Sequence, residues 1–380
     1  MTERCRIVVS GMVAGVPRQG GAAWAVLQWV LGLRRLGHEV VLLEPLDASK
    51  LAGRPLASSP QARYFHAVRR AFDLDAALLL TGSDETVGMT RAAAAAAAGR
   101  SDLLINVAGM LTDPEILGAP GRRAYLDVDP AFTQLWHDVE GIDMRLGGHD
   151  RHLTVGLRIG QPGCDVPTCG VEWLTTPPVV SLPDWEAADV VAHDAFTTVG
   201  SWRSYGSIEW GGVHYGQRAH SMRALAELPQ LVDDRLLVAL SIHADEVADI
   251  ALLRKNGWEL VDPATVVATP DDYRAFIRGS KGELGVAKSG YVKSRCGWFS
   301  DRSACYLAAG RPVVAQETGF STVLPVGVGL LSYEDVDGAA GAIASIAGDY
   351  RRHARAARAI AEEHLAAARV LPGLLDALLS

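Results

Sequence analysis

The sequence predicts an α/β fold made of two parallel-sheet halves. Three observations carry that expectation. The chain opens as strand, glycine-rich loop, helix, strand. A second series of alternating strands and helices begins after a proline-rich stretch. Between Lys281 and Ser321 lies a strand–helix–strand unit with both helix ends signalled. Together they describe two Rossmann-like halves of similar size.

Arg6 to Met12 is a near-continuous apolar run, as a parallel strand buried on both faces requires. Gly11, Gly15, Gly20 and Gly21 follow, then helical periodicity from Ala22 to Leu36, ending at Gly37. His38 to Glu44 is the second strand. Ala76 to Thr81, Asp102 to Val107, Arg123 to Val128 and Leu153 to Ile159 read as further strands. Thr86 to Ala98 and Ala131 to Val139 read as helices. Trp173 to Trp185 holds three prolines and reads as a linker.

Ala195 to Gly200 opens the second series. Tyr215 to Glu227 and Ala248 to Asn256 read as helices, Arg235 to Leu240 and Trp258 to Val261 as strands. Thr269 is placed as N-cap, with Pro270 first in the helix that runs to Arg278. Glu283 to Lys288 and Arg311 to Gln316 are the strands of the third observation. Asp301 to Ala309 is its helix, capped by Ser300 and followed by Gly310. Asp335 to Ile346, Tyr350 to Leu365 and Val370 to Leu379 complete the helices. The expected division is 1–175, a linker over 176–190, 191–350, and C-terminal helices over 351–380. Arg351, Arg352, Arg355 and Arg358 read as a solvated face.

Composition limits the function classes. The 380 residues are 49% hydrophobic and 21% charged, which suits a globular protein of two domains. A net charge of −8 argues against nucleic acid as main partner. Five scattered cysteines suit a reducing cytoplasm, and Cys164 and Cys169 read as loop residues rather than a zinc half-site. No signal peptide or membrane span is expected, and a cytoplasmic location is.

The Gly/Ser loop before Asp301 brings backbone N–H groups and a helix dipole to one point, which favours an anion such as phosphate. The spacing of Gly11 to Gly21 is not that of a dinucleotide fingerprint, and Glu44 lies 33 residues after Gly11, where about 20 is usual. Asp127-x-Asp129 ends a strand and places two carboxylates on one side. Its two-letter match to a metal motif is of low specificity, so cleft residues on the acceptor side are the preferred reading. His149, Asp150 and His152 lack a further metal ligand and read as a local hydrogen-bond group.

The segment GELGVAKSGYVKSRCGWFSDRSACYLAAGRPVVAQETGF resembles the donor-site region of bacterial GT-B glycosyltransferases, including actinobacterial ones of secondary metabolism. RIVVSGMVAGVPRQGGAAW and LRRLGHEV resemble their acceptor-domain opening. YLDVDPAFTQLW resembles a later stretch of that domain. The likeness touches both halves. It implies two domains facing across a cleft, with the C-terminal helices packing back on the first domain.

The resemblance implies transfer of a sugar from a UDP- or dTDP-linked donor to a small-molecule acceptor, with no metal or other cofactor. It implies donor contacts at Ser201, Arg203, Gly297, Ser300, Asp301, Arg302, Ser303, Glu317, Thr318 and Gly319. Gly15, Gly20 and Gly21 form the acceptor-side loop. Gly297 and Cys305 stand where retaining members carry two glutamates, so inversion is expected. An inverting reaction needs a base, and Asp127 or Asp129 is its expected source. The alternatives are a nucleotide-sugar 2-epimerase of the same fold and, further off, an NAD(P)-dependent oxidoreductase.

Overall fold

The structure is a computed structural model describing residues 4–188 and 190–380. The first half holds β1 (Arg6–Ser10), β2 (Glu39–Leu46), β3 (Ala76–Leu80), β4 (Thr86–Gly88), β5 (Leu103–Val107), β6 (Arg122–Asp127), β7 (Arg151–Thr154) and β8 (Trp173–Thr175). They form one sheet, ordered β4-β3-β2-β1-β5-β6-β7-β8. All pairings are parallel except that of β3 with β4. Every residue of β3 and β5 is buried, which explains their unbroken apolar runs.

The second half holds β9 (Ala195–Ser201), β10 (Ile208–Trp210), β11 (Val213–Tyr215), β12 (Arg235–Ser241), β13 (Glu259–Val261), β14 (Gly282–Gly285), β15 (Val313–Gln316) and β16 (Leu330–Tyr333). Six of these make a parallel sheet, ordered β13-β12-β9-β14-β15-β16, and β10 with β11 is a separate hairpin. Both sheets therefore reverse strand order beside a central strand. Such switch points leave a crevice at the carboxyl ends of the strands.

Several expected elements differ. The stretch read as one helix from Thr86 divides into β4 and a helix Arg91–Gly99, because Gly88 takes φ +95 and Thr90 then caps a new helix. The helix expected from Tyr215 begins at Arg218, because Gly211 and Gly212 turn β10 back into β11 at positive φ. The strand expected to reach Ile159 stops at Thr154. Trp173, expected in the linker, begins the edge strand β8. The loop after β14 contains a short helix, Ser289–Ser294. Helix Pro60–Ala71 was not among the expected elements; Ser59 caps it, its Oγ accepting from Ala62 N, and Pro60 opens it.

The C-terminal helices Val336–Gly348 and Tyr350–Ile360 lead to a π-helical turn and then to Ala367–Leu379. That last helix buries Leu371, Leu375 and Leu378 and lies against the long helix Gly20–Arg35, where Gly32 admits Ala367. The tail thus packs back on the first half. Arg351, Arg352 and Arg355 are exposed. Arg358 is not part of that solvated face: its Nη1 donates to the carbonyls of Trp185 (2.8 Å) and Ala308 (2.5 Å), binding the linker to helix Asp301–Ala308.

Candidate functional site

A cavity of about 250 Å³ opens between the halves. Val199, Gly200 and Ser201 at the end of β9, and Ser241 at the end of β12, form one wall. Asp301 and Arg302, the first turn of helix Asp301–Ala308, complete that wall with Tyr273. Opposite stand Arg18 to Ala22, the start of helix Gly20–Arg35. Two helix N-termini therefore converge on one space, and both present the positive end of their dipole.

The floor adds charge. Arg302 donates from Nε to Glu283 Oε1 at 2.5 Å and from Nη1 to Val199 O at 2.7 Å, while its Nη2 has no hydrogen-bond partner among the described residues. Arg218 lies beneath Gly200, and neither its Nε nor its Nη1 has a hydrogen-bond partner among the described residues. A Cβ on Gly200 would sit 2.8 Å from Arg218 Nη1, so only glycine leaves the guanidinium room there. Burial pushes Arg218 down to about 10, which still leaves it charged at neutral pH. Burial also opposes the Arg302 charge, but Glu283 more than offsets it and raises that pKa. Two buried guanidiniums thus share Glu283, with Asp301 beside Arg302, and the donors left over are ones an anion in the cavity would satisfy.

Asp301 is the carboxylate in the cavity lining. Desolvation raises its pKa, against the lowering effect of Arg302. Burial and the Arg302 guanidinium thus act on this carboxyl in opposite directions. Tyr273, raised by burial, makes no hydrogen bond among the described residues.

Of the residues singled out in the sequence, Gly20, Gly21, Ser201, Asp301 and Arg302 line the cavity. Ser300 caps its helix, its Oγ accepting from Arg302 N at 3.2 Å, and Ser303 is buried behind it. Arg203 points away and pairs with Glu246 at 2.5 Å, which leaves no free cation there. Gly297 does not offer its N–H to a ligand, because that group donates to Thr318 O at 2.7 Å. Glu317 accepts from Gly319 N at 2.5 Å. These three stand outside the cavity lining, and at Gly297 it is Leu157 and Arg158 of the first half that pack against the backbone.

The acceptor-side expectations change similarly. Gly15 N and Ala14 N donate to Glu44, at 2.6 and 2.9 Å, so the loop after β1 spends its donors inside the fold. Asp127 is fully buried and accepts from Asp129 N, Thr133 Oγ1, Gln134 Nε2 and Thr154 Oγ1. With every lone pair used and no exposure, it anchors the turn after β6 and does not reach an acceptor. Asp129 pairs with Lys288. His149, Asp150 and His152 are local hydrogen-bonding residues, Asp150 with Arg123 at 2.9 Å. Arg18, Gly200, Arg218, Ser241 and Tyr273 were not foreseen. Gly200 was visible as the glycine ending an apolar strand, whereas Arg218 was hidden inside an expected helix.

No protein-family model and no curated protein matches the chain. Solved structures do match it along its whole length. Anabaena HepE in complex with UDP and glucose is 10% identical at TM-score 0.58, covering 99% of each chain. The fold is GT-B. An alpha-glucosyltransferase in complex with UDP and a 13-mer DNA shares this GT-B architecture, at 11% identity, TM-score 0.62 and full coverage of both chains. AviGT4, a glycosyltransferase involved in avilamycin A biosynthesis, follows at 13% identity, TM-score 0.54, with 99% of this chain and 98% of that one covered. Among the described residues no group of three or more His, Cys, Asp or Glu is placed to hold a metal. No helix among them is long and apolar enough to cross a membrane.

Proposed function

We propose that the protein is a glycosyltransferase acting on a nucleoside-diphosphate sugar, UDP- or dTDP-linked. The observation that carries this reading is a cavity where two helices begin, lined by Arg302 and by Gly200 with Arg218 packed behind it, both guanidiniums keeping donors with no hydrogen-bond partner among the described residues. In such a transfer the bond from the anomeric carbon to the diphosphate oxygen breaks, and a bond to the acceptor oxygen forms. The acceptor loses a proton, and charge builds on the departing diphosphate. Arg218, Arg302 and the helix dipoles meet that charge with fixed donors. This is the support for transfer without a bound metal. Asp301 and Tyr273 are suited to hydroxyl groups of the donor, because neither needs an anionic partner.

Inversion is the stereochemical course we assign, on the absence of carboxylates at Gly297 and Cys305. A small-molecule acceptor fits the net charge of −8, which disfavours a polyanion. A reducing cytoplasm fits five free cysteines. The test is incubation with UDP-, dTDP- and GDP-sugars while free nucleoside diphosphate is measured, with and without acceptor panels that include DNA. Release from one donor class, abolished by Ser241→Trp in the cavity wall, is expected. A chain that neither binds nor hydrolyses any of these donors is not such a transferase. Proton NMR of the product anomer tests the stereochemistry.

A further inference from the structure

The halves meet along a seam much wider than the cavity. Asp129, just after β6 of the first half, receives Lys288 Nζ on both oxygens at 3.2 Å, and the hydroxyls of Tyr205 and Tyr291 as well. All three partners belong to the second half. Lys288 also lies 3.9 Å from the centre of the Tyr205 ring. The two charged side chains are only 12% and 23% exposed. An apolar cluster surrounds them, drawing Phe132, Leu135 and Ile159 from the first half and Ile208, Tyr215 and Tyr291 from the second.

Beyond this cluster the two backbones bond directly. Leu157 N donates to Gly297 O at 3.3 Å, and Arg158 N to Cys296 O at 3.0 Å. On the far side of the cavity, Gly20 N donates to Val267 O at 3.0 Å, Trp24 Nε1 to Pro270 O at 2.8 Å, and Tyr64 hydroxyl to Ala268 O at 2.9 Å. Gly20 approaches the Thr269 carbonyl so closely that no other residue fits without parting the halves. The cavity is therefore fastened on both flanks.

We propose that the two halves are latched into one body, with Asp129 and Lys288 at the centre of the latch, so that ligands enter through the cavity mouth and not by domain opening. Relative domain motion is the usual expectation unless an interface is large and apolar, and this one is continuous with a core cluster. The mouth carries the movable part. Arg18 is exposed, stands at φ +66, and reaches across to donate from Nη2 to Ala264 O at 2.7 Å. That conformation is uncommon for a residue with a side chain. A single side chain letting go of a carbonyl opens the way that separation of two domains would otherwise open.

X-ray scattering and hydrogen exchange on the full chain test the latch without any ligand. The expected radius of gyration is that of the closed structure, and the Leu157 and Arg158 amides are expected to exchange slowly. Asp129→Asn and Tyr205→Phe should each speed those two amides by about tenfold or more, as loss of a charge-assisted hydrogen bond gives, while amides within β1 and β14 keep their rates. Tyr205→Phe keeps its ring, so it decides the matter if Asp129→Asn does not fold. Adding UDP should leave the radius unchanged, and Arg18→Ala should speed UDP association at constant radius. An expanded free protein, or a radius that falls when UDP is added, overturns the latch. So do wild-type exchange rates at Leu157 and Arg158 in Tyr205→Phe. If UDP does not bind at all, the donor reading fails, and the ligand-free measurements still decide this one.

Discussion

Glu44 sets a pH dependence that a single substitution should remove. Its carboxyl is fully buried at the end of β2 and accepts from Ala14 and Gly15 backbone N–H groups. Desolvation outweighs those bonds and pushes its pKa from 4.5 up to about 7. Folding therefore favours the protonated form. The stabilisation is fully present below the unfolded pKa and is lost as pH rises through the folded one. A rise of two to three units, at about 1.36 kcal/mol each, puts the loss at ~3 kcal/mol between about pH 4.5 and pH 7. Glu44→Gln keeps an oxygen acceptor for the two N–H groups but cannot titrate. The variant should be less stable than wild type near pH 5, where its extra amide hydrogens lack partners. It should match or exceed wild type near pH 8. Thermal melting at both pH values reads this directly. At roughly 2–4 °C per kcal/mol, the melting-temperature gap should change by about 5–10 °C between them. Other buried carboxyls, including Asp127 and Asp301, titrate alike in both proteins and cancel from the difference. Parallel melting curves at the two pH values would refute the assignment.

Three further outcomes follow from the cavity and the turn beside it. Gly200→Ala should force Arg218 aside, destabilising the fold by about 1–3 kcal/mol as overpacking does and weakening nucleoside-diphosphate binding about tenfold, read by calorimetry. Ser241→Trp fills the cavity from an exposed position. It should erase any thermal shift caused by UDP while leaving the ligand-free stability within about half a kcal/mol of wild type. Asp127→Asn should cost about 2–3 kcal/mol through its four hydrogen bonds, and turnover per folded molecule should stay as it was. A large loss of turnover with normal melting would instead restore Asp127 as a base.

What was legible in the sequence was what local chemistry decides. Ser300 and Thr269 cap the helices they were expected to cap, because an N-cap depends on residues within one turn. The parallel strands β3 and β5 showed in their apolar runs, because burial on both faces removes alternation. What escaped was the pairing of distant groups. Asp129 and Lys288 are 159 residues apart, and nothing local marks either as the other's partner. Glu44 lies too far from Gly11 for a nucleotide fingerprint, and its actual role, gathering the loop's own N–H groups, depends on β1 and β2 being neighbours.

Glycine spacing alone does not mark the cavity, for the same physical reason. At Gly297 the backbone passes close to Leu157 and Arg158 of the other half, and at Gly319 it passes close to the Arg295 carbonyl of its own half and to Arg158, so small size serves packing at both. Gly15 serves Glu44. A glycine frees an N–H for a ligand only if nothing in the protein takes it first, and at these positions something does. At Gly200 the missing side chain instead makes room for a guanidinium. The group behind it is a side chain from eighteen positions later, and its signature in the structure is a buried donor with no hydrogen-bond partner among the described residues. Unpartnered buried donors, more than glycine spacing, are what support the proposed anion site in this molecule.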